Sequence, residues 1–209
     1  MRQTIIYLII LFLLQALSAA AQENDDPTSN PNQKVALVIG NSNYMNGPLL
    51  NPVNDARAMA AALRETGFEV LEYINLNTFA DMKRAIREFG RQIQNGGVGL
   101  FYYAGHGMQV NGKNYLIPTE AEIYAEEEVE YEAVDVGFVL VQMEIARNRM
   151  NIIILDACRN NPFARTWRSG ATGLAFINAP AGTLIAYATA PGSIASDGTG
   201  ENGLYTEEL

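Results

Sequence analysis

The chain has 209 residues, 48% hydrophobic and 18% charged, enough apolar material for one well-packed domain but not comfortably for two. Its formal net charge of −9 argues against a nucleic-acid binder, which would carry a basic face. The lone cysteine, Cys158, excludes an internal disulfide.

Residues 1–21 read as a secretory signal peptide: Arg2, an apolar run over 5–14, then Ala19-Ala20-Ala21 as the small-residue cleavage site. The run is short for a membrane span, so an uncleaved anchor is the minority reading. The mature protein is expected to be exported, periplasmic or secreted, with no stable membrane span after signal cleavage. Residues 22–33 are polar and are expected to be a disordered lead into a domain over 34–209.

Residues 34–39, KVALVI, predict a strand, closed by Gly40-Asn41-Ser42-Asn43. A helix follows from about Asn54, with Ala56, Met59, Ala60 and Leu63 on one face and Gly67 as its stop. Residues 68–74 predict a second strand. Thr78 and Asp81 have capping-box spacing ahead of a helix with Met82, Ala85, Ile86, Phe89 and Ile93 on its apolar face. Asn95-Gly96-Gly97 ends it, and 98–103 form a third strand in which Tyr102 and Tyr103 read as packing residues. Asn111-Gly112 marks a hairpin, 121–132 an acidic stretch, and about 136–148 a further helix. Residues 151–155, NIIIL, are a continuous apolar strand running into Asp156-Ala157-Cys158. Residues 160–181 are irregular, 183–188 form a last strand, and 204–209 open another helix.

Strands alternating with helices, several of them wholly apolar, predict an α/β domain with a mostly parallel sheet covered on both faces. Sites in such sheets form beyond the carboxyl ends of the strands. The only histidine, His106, follows the third strand, and Cys158 follows the fourth. A lone thiol is either buried and inert or present for its chemistry. An imidazole that takes its proton makes it a strong nucleophile, and adjacent strand ends can bring the two together.

Residues 102–107, YYAGHG, and 154–163, ILDACRNNPF, resemble the histidine and cysteine motifs of the caspase-like clan of cysteine peptidases. The likeness is to bacterial caspase-domain proteins of the metacaspase and paracaspase type. The two residues lie 52 positions apart, close to the caspase spacing of about 50. Residues 40–56, GNSNYMNGPLLNPVNDA, and the stretch 182–209, with YATAPGSIASDG and NGLYTEEL, extend the resemblance over nearly all of 34–209.

The resemblance implies a caspase-like (caspase-hemoglobinase) three-layer α-β-α sandwich. Residues 34–165 would be its large-subunit-like part, 166–181 a linker and 182–209 the start of a small-subunit-like part, truncated at the carboxyl end. It implies a cysteine-type endopeptidase with a dyad: Cys158 attacks the scissile carbonyl, His106 protonates the leaving amine, and the N–H groups of Gly107 and Cys158 hold the oxyanion. Where caspases carry Gln and Gly around the cysteine, this chain has Asp156 and Asn160. By similarity to metacaspases, Asp156 and Asp55 would line the primary specificity pocket. Two partly desolvated carboxylates select a cation, so protein or peptide substrates are expected to be cleaved after Arg or Lys. Asp55 also has a plainer reading as a cap of the first helix. The alternative for the whole chain is a catalytically silent interaction module.

No cofactor and no metal site are expected. The run Glu126-Glu127-Glu128, with Glu130 and Glu132, is either a calcium-activation site or a solvated loop, and its spacing fits no defined calcium loop. Arg165 and Arg168 are either self-cleavage sites or part of a solvated loop. Residues 193–198, SIASDG, resemble the loop bordering the substrate cleft.

Overall fold

The computed structural model describes residues 30–157 and 174–188, together with Gly203 and Thr206. In chain order it holds β1 (Asn30–Gly40), α1 (Pro52–Glu65), β2 (Glu69–Ile74), α2 (Phe79–Gln92), β3 (Gly96–Ala104), β4 (Gly107–Val110) and β5 (Lys113–Leu116). A 3-10 turn at Glu126–Glu128 leads into α3 (Val129–Glu132), β6 (Val134–Asp135), α4 (Val136–Ala146), β7 (Met150–Asp156) and β8 (Thr183–Tyr187). No helix among the described residues is long and apolar enough to cross a membrane.

Five strands form one parallel sheet in the order β2-β1-β3-β7-β8. Alternate residues of its strands face opposite helical layers, which explains their continuous hydrophobicity. Val35, Leu37, Ile39, Phe101, Tyr103, Ile153 and Leu155 pack with Met82, Ile86 and Phe89 of α2 and Val139 and Met143 of α4. Ala36, Val38, Leu100, Tyr102, Ile152 and Ile154 pack with Ala56, Met59, Ala60 and Leu63 of α1. The result is the expected three-layer α-β-α arrangement.

Two local devices set the helices on this sheet. A Cβ on Gly40 would lie 2.5 Å from Pro52 O and 2.6 Å from the Ala56 Cβ, so glycine at the end of β1 lets the start of α1 press against the strand. Thr78 and Asp81 close the capping box read from their spacing, the Thr78 Oγ1 accepting the Asp81 N–H at 3.1 Å. The helix it opens is α2.

β1 begins at Asn30, four residues ahead of the strand expected from its hydrophobic run. The extension is held by polar contacts: the Asn30 N–H donates to Asn95 O at 2.8 Å and the Gln33 side chain to Gln92 O at 2.9 Å. Such bonds leave no hydrophobic trace. β6 was also unmarked by the sequence, being two residues long. It completes a small antiparallel sheet, β4-β5-β6, around the expected Asn111-Gly112 hairpin.

Candidate active site

β3 and β7 are direct neighbours in the sheet, and their last paired residues are Ala104 and Asp156. His106 and Cys158 each stand two residues beyond that matched pair. The turn after β3 also touches the chain leaving β7. The Gly105 N–H donates to Asp156 O at 3.3 Å, and a Cβ on Gly107 would lie 2.9 Å from Ala157 O and 3.0 Å from the Ala157 Cβ. Gly107 therefore has a packing reason to lack a side chain: the residue preceding Cys158 rests on it. Cys158 itself lies outside the described residues, as do Arg165, Arg168 and the 193–198 segment.

His106 is buried and held at both its backbone and its ring. Its N–H donates to the Tyr44 hydroxyl at 2.8 Å, and its carbonyl accepts the Tyr103 hydroxyl at 2.8 Å. The two tyrosine oxygens are 3.1 Å apart, and the Tyr44 hydroxyl lies 3.2 Å from Ile117 O, the carbonyl it can donate to. The Ile117 N–H in turn donates to His106 O at 3.1 Å. Burial pushes the Tyr103 phenol well above its ordinary value of 10.0, with the neighbouring Tyr44 adding to it, so it stays a neutral donor.

The imidazole packs on the Tyr44 ring at 4.3 Å between centroids, tilted 54°. Its Nε2 lies 2.6 Å from Gly47 O. A carbonyl has no proton to give, so Nε2 carries the hydrogen and Nδ1 is the basic nitrogen of the ring. Gly105 leaves room for this cluster, since a Cβ there would lie 2.6 Å from the Tyr44 hydroxyl and 2.8 Å from that of Tyr103.

The loop carrying Tyr44 and Gly47 is tied down by neighbouring strand ends. The Asn41 side chain donates to Ile117 O at 3.2 Å and accepts the Leu76 N–H at 3.0 Å. The Asn75 Oδ1 accepts the N–H groups of Ser42 at 2.8 Å and Asn43 at 3.1 Å. The Asn41 and Asn75 side chains are thus cross-braces between loops.

Asp55 and Asp156 lie on the α1 side of the sheet and are 0% and 1% exposed. Asp156 ends β7 on the face of Ile152 and Ile154, while Asp55 sits in the first turn of α1. Asp55 does not cap that helix, whose N-cap is Asn51; its Oδ1 accepts the Gly203 N–H at 2.7 Å. The Asp156 Oδ2 accepts the Thr206 hydroxyl at 3.2 Å, and the Thr206 oxygen lies 2.8 Å from that of Tyr102. The NGLYTEEL stretch thus reaches both carboxylates.

In the acidic run, the Glu128 Oε2 accepts the N–H groups of Tyr124 at 2.8 Å and Ala125 at 3.2 Å, ordering the turn before α3. Sequence reasoning missed Tyr44, Gly47, Ile117 and Thr206 as parts of the site, and saw Tyr102 and Tyr103 as packing alone. Phenylalanine would pack as well as those two tyrosines; their hydroxyls were the available signal.

Comparison with known proteins bears on the whole arrangement. The family model of the C14 peptidases, described as the caspase domain, matches residues 33–209. The human mucosa-associated lymphoid tissue lymphoma translocation protein 1 is 34% identical over 140 residues, 66% of this chain and 16% of that protein. Its mouse homologue is 33% identical over 141 residues, again 66% of this chain and 16% of that protein. The match therefore spans about a sixth of the length of these relatives. In fold, the chain resembles the Drosophila initiator caspase Dronc, with a TM-score of 0.56 at 16% identity over 91% of this chain and 66% of that one.

Proposed function

The chain belongs to the caspase-domain family of peptidases, and on that premise we propose that it is a cysteine endopeptidase in which Cys158 and His106 cleave peptide bonds after Arg or Lys. The observation that carries the proposal is the register of β3 on β7: Ala104 pairs with Asp156, and the histidine and the cysteine each follow by two residues. Two parallel neighbours ending level support a reading in which both groups meet at one rim, the place where open α/β sheets build their sites.

In this reading the Gly47 carbonyl holds the Nε2–H of His106, and Nδ1 takes the thiol proton of Cys158. The thiolate attacks the scissile carbonyl carbon, and the oxyanion is met by the backbone N–H groups of Gly107 and Cys158. The imidazolium then returns its proton to the departing amine. Water, deprotonated by the same nitrogen, hydrolyses the thioester and frees the enzyme. Asp55 and Asp156 are the groups offered to the basic side chain. Their burial favours a cation, because a desolvated carboxylate gains most from a charged donor.

The test uses fluorogenic peptides ending in Arg, Lys or Asp, turned over by the wild type, Cys158→Ala and His106→Ala. The proposal expects cleavage after Arg and Lys, little after Asp, and a fall of at least about a thousandfold in both variants, as loss of a nucleophile or its base commonly brings. Equal turnover by Cys158→Ala would remove the dyad, while preference for Asp would remove the pocket assignment and leave the dyad standing.

A further inference from the structure

The carboxylates of Asp55 and Asp156 are reached from one short segment, by Gly203 and Thr206. Thr206 is the more informative partner because a hydroxyl has only one proton. An ionised carboxylate can only accept, so Thr206 gives its proton to the Asp156 Oδ2. The Thr206 oxygen then has only acceptor capacity for the Tyr102 hydroxyl 2.8 Å away, which must be the donor. The bonds therefore run in one direction, from Tyr102 through Thr206 to Asp156. All three residues are buried, at 0%, 7% and 1% exposure.

The anchor of this relay is a fully buried residue of a central strand. Tyr102 lies inside β3, paired across the sheet with Ile154, and its ring packs in the α1-side core. Asp156 lies two residues beyond Ile154, on the same face of β7. A phenylalanine at 102 would satisfy the core, so the hydroxyl calls for a separate reason, and Thr206 supplies it.

On the specificity reading above, we propose that Tyr102 and Thr206 are positioning residues that aim the Asp156 carboxylate at the basic side chain of the substrate. Fixing Oδ2 fixes the direction of the second oxygen, since the carboxylate is planar. That direction matters unequally for the two cations. A guanidinium presents a flat fork of donors and needs a matching pair of acceptor positions, whereas an ammonium is a point charge with rotatable donors. The relay thus favours Arg over Lys.

The experiment measures kcat and KM of the full chain for matched Arg-ending and Lys-ending peptides in wild type, Thr206→Val, Thr206→Ser and Tyr102→Phe. Thr206→Val is expected to lose roughly tenfold in kcat/KM for Arg, mostly through KM, and less than about threefold for Lys, consistent with one lost charge-assisted bond. Thr206→Ser should retain the wild-type ratio, and Tyr102→Phe should lower it in the same direction by a smaller factor. Equal losses for the two peptides, or an unchanged ratio in both Thr206→Val and Tyr102→Phe, would overturn the proposal. If Thr206→Val does not fold, the contrast between Thr206→Ser and Tyr102→Phe decides in the same way. A wild type that cleaves neither basic peptide better than a matched Asp-ending one contradicts the specificity reading and the relay with it. That result is distinguishable because it is seen before any substitution.

Discussion

His106 is fixed by its neighbours at both its backbone and its ring. Tyr44 accepts its backbone N–H and supports its ring, Tyr103 donates to its carbonyl, and Gly47 holds Nε2. Replacing Tyr44 by Phe keeps the ring contact and removes the hydroxyl, leaving the buried His106 N–H without its acceptor and Ile117 O without that donor. Such a loss costs about 1–3 kcal/mol. Tyr44→Phe is therefore expected to unfold at lower urea concentration. It should also lose roughly tenfold in kcat with little change in KM, because it disturbs the proposed base and not the proposed specificity pocket. Full kcat in a destabilised variant would show that Tyr44 braces the loop without positioning the catalytic ring. The sequence could signal the importance of His106, the sole histidine between two glycines. It could not signal Tyr44 or Gly47, which meet it from 62 and 59 residues away through a hydroxyl and a backbone carbonyl.

Helices and strands were legible where one local rule dominates. The α2 capping box shows this well, since Thr78 and Asp81 satisfy each other within a single turn. Thr78→Ala is expected to lower stability by about 1 kcal/mol in urea unfolding, the usual effect of losing such a cap. The Asp81 carboxyl is held below its ordinary value of 3.8, first by the Thr78 hydroxyl and also by Arg84. A lowered folded value means the native state favours the ionised form. Its contribution is full above the unfolded value and is lost as pH falls through the lowered one. The penalty of Thr78→Ala should accordingly be constant near neutrality and shrink below about pH 4. Elements without such a rule stayed hidden. The amino-terminal part of β1 is held by Asn30 and Gln33 side-chain and backbone bonds, and β6 is shorter than any hydrophobic period.

At the scale of the molecule, the sheet turns distant motifs into neighbours. Continuous apolar runs announced a parallel sheet, and the positions of His106 and Cys158 after two of them announced its rim. The strand order remained implicit, because pairing of β3 with β7 depends on which edges stay vacant after β1 takes β2 and β3 as neighbours. Once the order is known, the pairing of Ala104 with Asp156 supports the proposal that His106 acts on Cys158. The single cysteine makes this directly measurable by following iodoacetamide alkylation with mass spectrometry across pH, in wild type and His106→Ala. A thiol paired with a histidine ionises well below the ordinary value of about 8.5. The wild-type rate is therefore predicted to rise with an inflection below that value, and the variant's inflection to move back toward it. Superimposable profiles for the two proteins would contradict the dyad.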